Sequence, residues 1–382
     1  MDTVHMHIDT DIRFGQDESQ AVGSCAKQIG SRVLLLSEPI IQDEGIATRI
    51  RLELEAKKLK CLVFEDISAS SGYSGLQEAV QLATAGKVQL IVAVGGMRTI
   101  CAGRAVALAA GSGRTLKSIL EDERPVATSL PCIEIPSSFR NPLQFSGRVV
   151  IDEDVTRNPR VLCMPKGFLK TVIVDPQLTR SLSGKCSAAL VLDALLSGIE
   201  GYISMTSGFI GKPLLRDGIK HCSESVLSVY NAPEELRPRI KACEGGLLIN
   251  LGLSFGSQGI GGALVYTMSS LFGVPKSWVA SVLAPHVAEY WMPIVPQQLA
   301  SIAEAMGANV SSLSASEAAR QVPQVLRRII GQVDMPGRLR DLGISFQHAK
   351  EAGELAGEMD MIRNCPRFPQ PNDILNLIKR AY

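Results

Sequence analysis

The chain lacks the excess of positive charge that marks proteins binding nucleic acid or an anionic membrane surface. Its 39 Lys and Arg residues against 38 Asp and Glu leave a net charge of +1 over 382 residues. Such partners are held by clusters of Lys and Arg on one face, which a balanced composition does not supply. We therefore expect no nucleic acid and no membrane among the partners.

Paired cysteines are also missing. The nine cysteines are odd in number, widely scattered and never spaced as Cys-x-x-Cys. Disulfide frameworks and thiolate zinc sites need such pairs, so the pattern favours reduced thiols. The stretch 1–7 shows no positively charged segment followed by an apolar run, which is the pattern of a secretory signal peptide. We expect a cytoplasmic protein.

Long apolar runs without polar interruption are absent as well. The stretch 245–275 carries no charged residue, but Asn250, Ser254, Ser257 and Gln258 interrupt it together with many glycines. Placing these polar groups in a bilayer would be costly. The stretch therefore predicts a buried helix pair in a helical domain.

What the first part of the chain has is alternation between short apolar β-rich runs and amphipathic segments. This alternation predicts a mostly parallel, Rossmann-like sheet with helices on both faces. Ligands of such sheets bind beyond the carboxyl ends of the strands. The predicted strands are 32–36, 61–64, 90–94, 132–135 and 171–174, and the predicted helices between them include 45–58 and 73–86.

After residue 176 the chain changes to long apolar segments of helical length. A chain of 382 residues suits two domains. We predict an α/β nucleotide-binding-type domain over 1–180 and an all-helical metal or substrate domain over 181–382. The predicted helices of the second domain are 186–205, 214–230, 238–255, 261–272, 296–306, 314–331 and 347–359.

A strand is also predicted near 4–8, at the edge of the sheet. An open edge of this kind favours pairing with a second copy, so we expect a homodimer. His5 and His7 would share one face of that strand, which is more typical of a solvated face than of a metal site.

A glycine pair, Gly95-Gly96, follows a predicted strand and precedes a helix. Backbone amides at such a turn can approach the pyrophosphate of a dinucleotide. The same pair is equally typical of a plain tight turn. The segment alone leaves both interpretations open.

Several motifs follow one another with a characteristic spacing. They are Asp-Pro-Gln-Leu-Thr at 175–179, Asp-Ala-Leu at 193–195, Ile-Glu-Gly-Tyr at 199–202, Phe-Gly-Val-Pro at 272–275 and Leu-Ala-Pro-His-Val at 283–287. Together they resemble the iron-containing (group III) alcohol dehydrogenase family over nearly the whole chain. The resemblance implies a dehydroquinate synthase-like fold, NAD or NADP as cofactor, and iron or zinc that polarises the alcohol or carbonyl oxygen.

The resemblance also implies four metal ligands, one aspartate and three histidines. Asp193 falls on the aspartate, but Ser197, Gly262 and Lys276 stand at the histidine positions. Tyr266 stands where the family has a histidine that faces the substrate. Because these replacements are poor ligands for iron or zinc, we predict a metal-free site in which Tyr266 and Lys276 are the catalytic residues.

Lys276 is predicted to extend its ammonium group towards Asp193, so that one charge replaces the charge of the metal. Ser197 or Tyr266 would add hydrogen bonds to the pair. The alternative is that Lys276 points into solvent while Asp193 caps a backbone amide. None of the five histidines stands at a ligand position. His286 is predicted to open a helix as a structural residue, whereas His221 and His348 are expected on charged helix faces.

The nucleotide motifs are altered too. Glu38 stands where the family has an aspartate facing the adenosine ribose, which would favour NAD over NADP, although an exposed turn glutamate is equally expected. Ser137 and Ser138 keep the two hydroxyls of the second phosphate motif. Arg98 and Arg140 replace small residues, and they could hold an anionic ligand or fill the space that NAD would occupy.

Two hypotheses of function follow. The first is an alcohol dehydrogenase-like oxidoreductase, linked to NAD(P) and acting on a small alcohol or aldehyde, with a rebuilt site. The alternative is a catalytically inactive ligand-binding or interaction protein that kept the fold, because fold resemblance does not carry function when site residues change. A third interpretation is a lyase or reductase that binds an anionic substrate through Arg98, Arg140 and Lys276.

Overall fold

The structure, a computed structural model, describes residues 8–67, 72–122 and 124–382, without the side chain of Gln42. It divides into two compact units. The first extends to Ser137 and includes Gly147–Asp154 and Arg160–Ser181. The second comprises Ser138–Ser146, Val155–Pro159 and Leu182–Tyr382. The sequence assigned 138–146 and 155–159 to the α/β domain, whereas the structure groups both segments with the helices.

The α/β unit is built on strands that follow the predicted order, and each of the five strands predicted from 32 to 174 is present. The structure adds a short first strand and a separate pair of strands, which were not predicted because their apolar runs are no longer than three residues. The strands of the described residues are β1 Asp11–Phe14, β2 Arg32–Ser37, β3 Lys60–Phe64, β4 Leu90–Gly95, β5 Cys132–Pro136, β6 Arg148–Asp152, β7 Pro159–Cys163 and β8 Leu169–Val174.

Helices occupy the connections of the sheet and nearly all of the second unit. In the α/β unit they are α1 Val22–Lys27, α2 Pro39–Asp43, α3 Ile46–Ala56, α4 Gln77–Ala85, α5 Met97–Ser112 and α6 Leu116–Glu121. In the helical unit they are α7 Gly184–Ile203, α8 Gly211–Asn231, α9 Leu236–Gly252, α10 Ile260–Phe272, α11 Lys276–Trp291, α12 Pro296–Ala305, α13 Ala315–Gln332, α14 Phe346–Ala356 and α15 Pro371–Ala381.

Six strands form one parallel sheet in the order β1-β8-β5-β4-β2-β3. Strand β4 is buried along its whole length, as expected of a parallel strand covered on both faces. The chain passes from β2 to β3 on one side and then returns to β4 on the other side of β2. The carboxyl ends of β2 and β4 therefore flank a topological switch point, where ligands of such sheets bind.

The strand predicted near 4–8 falls largely outside the described residues, as do His5 and His7. Ile8 itself lies in no strand. The first described strand, β1, pairs with β8 and forms one edge of the sheet. The homodimer stays a prediction.

Among the described residues, no strand follows Val174, so the second unit is all-helical as predicted. Helix α7 begins after Ser183, whose hydroxyl accepts the N–H of Cys186 at 3.2 Å. This helix is long and apolar enough to cross a membrane, but 83% of its apolar window is buried inside the protein. It is therefore the central core helix of the unit.

Helix α11 begins at Lys276, directly after Pro275, and continues to Trp291. The expectation that His286 opens a helix is wrong, because the residue lies in the second half of α11. Proline at position 285 lies inside the same helix. Because two full turns of helix precede Pro285, this proline does not mark the beginning of α11.

Candidate functional site

The switch point of the sheet brings two predicted cofactor-binding residues together. Glu38 follows β2, and its Oε1 accepts the backbone N–H of Gly96, which follows β4, at 2.8 Å. Gly95 has a φ of +152°, and a Cβ at this position would lie 2.7 Å from Oγ1 of Thr99. Glycine is therefore required for the turn that leads into α5.

The other predicted nucleotide residues of this unit are placed differently. Ser137 is buried at the end of β5, and its N–H donates to the carbonyl of Gly95 at 3.0 Å. Arg98 is exposed in the first turn of α5. Arg98 therefore does not fill the turn, and it stays accessible to an anionic group.

The helical unit contains a buried ion pair at the predicted metal position. Nε of Arg140 lies 2.9 Å from Oδ2 of Asp193, and the two side chains are 3% and 1% exposed. Asp193 is contributed by the middle of α7, and Arg140 by the connection between β5 and β6. The guanidinium group of Arg140 also lies over the ring of Tyr266, with 5.6 Å between Cζ and the ring centroid.

The segment that carries Arg140 is held against α9 by close backbone packing. A Cβ at Gly246 would lie 1.9 Å from the carbonyl oxygen of Phe139, so only glycine allows this approach. The N–H of Asn141 donates to Oδ1 of Asn250 at 3.4 Å. Ser138 stays local, and its hydroxyl donates to the carbonyl of Arg140 at 3.3 Å. This packing explains why residues 138–146 belong to the helical unit.

The electrostatics of the pair are unusual for a buried salt bridge. Burial raises the pKa of Asp193, although Arg140 and, more weakly, Lys276 favour its charged form. Neither carboxylate oxygen of Asp193 accepts a well-aligned hydrogen bond from the described residues. Arg140 acts on Asp193 first through its charge and only second through a hydrogen bond, with 2.9 Å between Nε and Oδ2.

Arg140 makes the close ion contact with Asp193, a partner that was not predicted for this carboxylate from the sequence. Lys276 was predicted to pair with Asp193; it is half-buried in the first turn of α11, and its charge also favours the ionised form of Asp193. The ammonium group of Lys276 lies 5.9 Å from the centroid of the Tyr266 ring. The planar guanidinium group of Arg140 is held by a buried loop, and it is the larger of the two positive influences on the carboxylate of Asp193.

Tyr266 lies at the centre of this cluster. Its side chain is 0% exposed, and its hydroxyl donates to Oε1 of Gln258 at 3.3 Å. Nε2 of Gln258 donates in turn to the hydroxyl of Ser197 at 3.0 Å. The structure therefore brings Ser197 and Tyr266 together, as the resemblance implied, through a glutamine that sequence reasoning missed. The available signal for Gln258 was its place among the few polar side chains that interrupt the uncharged stretch 245–275.

Glu200 is a second buried carboxylate of α7, with a different environment. It accepts three backbone N–H groups at the start of α10, from Gly259 at 3.0 Å, Gly261 at 2.6 Å and Gly262 at 2.8 Å. Burial raises the pKa of Glu200, while the three N–H groups oppose the rise. Its role is to cap the helix that carries Tyr266.

The residues at this site do not fit the iron or zinc ion that the family resemblance implies. Asp193 is already paired with a guanidinium group, and Gly262 brings no side chain. Among the residues that the structure describes, no group of three or more His, Cys, Asp and Glu side chains is placed to hold a metal ion. A cation of the protein and a neutral hydroxyl cannot complete a nitrogen and oxygen ligand set.

The fold and the two sites define a class of protein: a parallel α/β unit with a nucleotide-type turn, joined to an all-helical unit with a buried charged cluster. Residues 9–176 match the family of iron-containing alcohol dehydrogenases, and residues 187–382 match the C-terminal part of the same family. The chain belongs to the iron-containing alcohol dehydrogenase family and is an alcohol dehydrogenase-like oxidoreductase.

Relatives match the chain over nearly its whole length. The 1,3-propanediol dehydrogenase of Citrobacter freundii is 22% identical over 97% of this chain and 96% of that protein. The NAD-dependent methanol dehydrogenase of Bacillus methanolicus is 21% identical over 96% of this chain and 97% of that protein. A solved structure of a 1,3-propanediol oxidoreductase covers 100% of both chains at 20% identity with a TM-score of 0.93, which shows the common fold.

Proposed function

We propose that this protein is an NAD(H)-linked oxidoreductase that interconverts a small alcohol and its carbonyl compound, and that a fixed cation of the protein, Arg140, takes the place of the family's metal. The observation that carries the proposal is the 2.9 Å contact between Nε of Arg140 and Oδ2 of Asp193, buried at the family's metal position. The guanidinium group of Arg140 thereby takes over the stabilisation of negative charge that the metal provides in the family.

Reduction of a carbonyl group builds negative charge on its oxygen. A preorganised cation in a buried site stabilises that charge strongly, because little solvent screens it. Arg140 keeps its proton. Burial alone would lower the pKa of Arg140, but the attraction of Asp193 outweighs this effect and raises the pKa above its ordinary value. Tyr266, which lies under the guanidinium group, is positioned to supply the proton that turns the oxygen into a hydroxyl.

The bound nicotinamide would supply or accept the hydride. The residues of the α/β unit fit the adenosine end of such a cofactor: a glycine turn at the switch point, and beside it the carboxylate of Glu38 fixed on Gly96. A carboxylate at this place accepts hydroxyls of the ribose and repels a 2′-phosphate, so we propose NAD in preference to NADP.

The charges of the cluster also bear on the substrate. Arg140 and Lys276 contribute two positive charges near Tyr266. Of the two buried carboxylates of α7, Asp193 faces Arg140, and Glu200 is already held by three backbone N–H groups. An excess of positive charge favours a carbonyl substrate that carries an anionic group. We therefore propose small carbonyl acids over unsubstituted aldehydes of equal length.

The test combines cofactor binding, metal content and activity. We expect saturable NADH binding by fluorescence titration, weaker NADPH binding, no stoichiometric iron or zinc by elemental analysis, and NADH-dependent reduction that EDTA does not inhibit. Arg140→Ala should lower kcat by about 100- to 1000-fold, the usual effect of removing a group that stabilises the developing oxyanion. Arg327→Ala, at a surface ion pair of the same unit, is the matched control and should stay near wild type.

Two results would contradict the proposal. One is a metal ion bound at one per chain, lost on Asp193→Ala and needed for activity. The other is an absence of saturable NADH and NADPH binding, which would favour the inactive alternative.

A further inference from the structure

One buried side chain, Gln258, touches all three places where the family resemblance puts imidazoles on α7 and α10. Its Nε2 lies 3.0 Å from the hydroxyl of Ser197, and its Oε1 lies 3.3 Å from the hydroxyl of Tyr266. A Cβ at Gly262 would lie 2.8 Å from Cβ and 3.0 Å from Nε2 of Gln258. The glutamine therefore fills the volume beside Gly262 and connects the other two positions.

This arrangement divides the work of a metal ion between two side chains. A metal supplies positive charge and also links its ligands into one rigid group. Here Arg140 supplies the positive charge. Gln258 links Ser197 to Tyr266, because its Nε2 donates to one hydroxyl and its Oε1 accepts from the other. The amide is neutral at every pH, so the link does not depend on the protonation of Asp193.

Both partners of Gln258 are hydroxyl groups, and a hydroxyl can donate or accept. With neutral Tyr266, Oε1 accepts the phenol proton and Nε2 donates to Ser197. If Tyr266 gives its proton to a substrate oxygen, a half-turn of the amide lets Nε2 donate to the phenolate while the Ser197 hydroxyl donates to Oε1. The amide is satisfied in both orientations, so both protonation states of Tyr266 are held in one position.

We propose that Gln258, supported by Ser197, is a positioning residue that holds Tyr266 in both protonation states. The inference rests on the proposed function, because it assumes that Tyr266 is the proton donor. It has a consequence that does not depend on activity: the ionisation of Tyr266 must respond to the loss of the Nε2 donor.

Gln258→Glu keeps the shape and, when ionised, replaces the donor by an acceptor and adds a negative charge, so that both changes act against tyrosinate. We expect tyrosinate formation, followed by ultraviolet difference absorbance against the matching Tyr266→Phe protein, to shift to higher pH in Gln258→Glu. Ser197→Ala removes the hydroxyl that donates to the turned amide. It should also shift tyrosinate formation to higher pH, but by a smaller amount than Gln258→Glu. Gln347→Glu, on the exposed face of α14, is the control and should not shift it.

In turnover we expect Gln258→Glu and Gln258→Leu to lower kcat by about tenfold to hundredfold with KM near the wild-type value, the range of a small misplacement of a reacting group. A tyrosine titration unchanged in Gln258→Glu overturns the inference, whatever the activity. Unchanged kcat in both Gln258 variants of an active enzyme also overturns it. If the wild type reduces no carbonyl compound while the tyrosine titration shifts, the proposed function fails and the contact between Gln258 and Tyr266 stands.

Discussion

Among the described residues, each unit of the molecule contains a buried ion pair between an arginine and a carboxylate, and the two pairs differ in hydrogen bonding. In the α/β unit, Arg104 binds Glu134 through Nε to Oε1 at 2.6 Å and Nη2 to Oε2 at 2.9 Å. Its Nη1 also donates to the carbonyl of Arg148 at 2.9 Å. In the helical unit, Asp193 faces Arg140 at 2.9 Å without a well-aligned hydrogen bond to either oxygen from the described residues.

The difference separates a structural pair from the pair that we propose to be functional. A buried ion pair is held well only when further hydrogen bonds satisfy both partners, and Arg104 has them. The bonds of Arg104 join α5, β5 and β6 within the α/β unit. The pair in the helical unit leaves its carboxylate oxygens poorly satisfied, a cost that folded proteins retain mainly at functional sites.

The largest effect on stability is expected from breaking the well-bonded pair. Glu134→Gln leaves the charge of Arg104 buried without its partner, so we expect the free energy of unfolding in urea to fall by about 3–5 kcal/mol. Glu153→Gln, which breaks an exposed pair with Arg160 in the same unit, should cost at most about 1 kcal/mol. Equal losses in the two variants would mean that burial and bidentate bonding add nothing.

A smaller effect, of opposite sign, is expected when the poorly bonded pair is replaced as a whole. Arg140→Met combined with Asp193→Leu removes two buried charges and fills the space with apolar atoms. We expect the free energy of unfolding to stay equal or to rise by up to about 2 kcal/mol, while carbonyl reduction is lost. A fall of more than about 3 kcal/mol in urea unfolding would instead make this pair structural, like that of Arg104 and Glu134.

The smallest effect concerns pH. The pKa of Asp193 is raised by burial, so its protonated form favours the fold, and its contribution to stability is present below the ordinary aspartate pKa of about 4. That contribution is lost as pH rises towards and through the folded pKa, at a rate of at most about 1.4 kcal/mol per pH unit. The stability of wild type relative to Asp193→Asn should therefore decrease from about pH 4 upwards. Urea unfolding of both proteins across this range measures the decrease, and parallel curves would rule it out.

Much of the fold and part of the site could be predicted from the sequence. Apolar periodicity located the parallel strands, because a covered strand must be apolar on both faces. Motif order located Asp193, Ser197 and Tyr266 on the right helices, since spacing along a helix fixes which residues share a face. The turn at Gly95 and Gly96 was visible as a glycine pair after a strand, and the backbone at Gly95 is one that only glycine fits.

The amino-acid sequence by itself determined the family resemblance, the positions of the strands from 32 to 174 along the chain and the absence of histidines from the family's ligand positions. Only the tertiary structure decided which cation meets Asp193 and which side chain connects Ser197 to Tyr266. From the sequence, Asp193 was paired with Lys276, whereas the contact of Arg140 depends on a loop docking against Gly246, where a carbonyl approaches too closely for any side chain. Such contacts join residues far apart in the chain, and their geometry is set by the packing of whole helices rather than by local pattern.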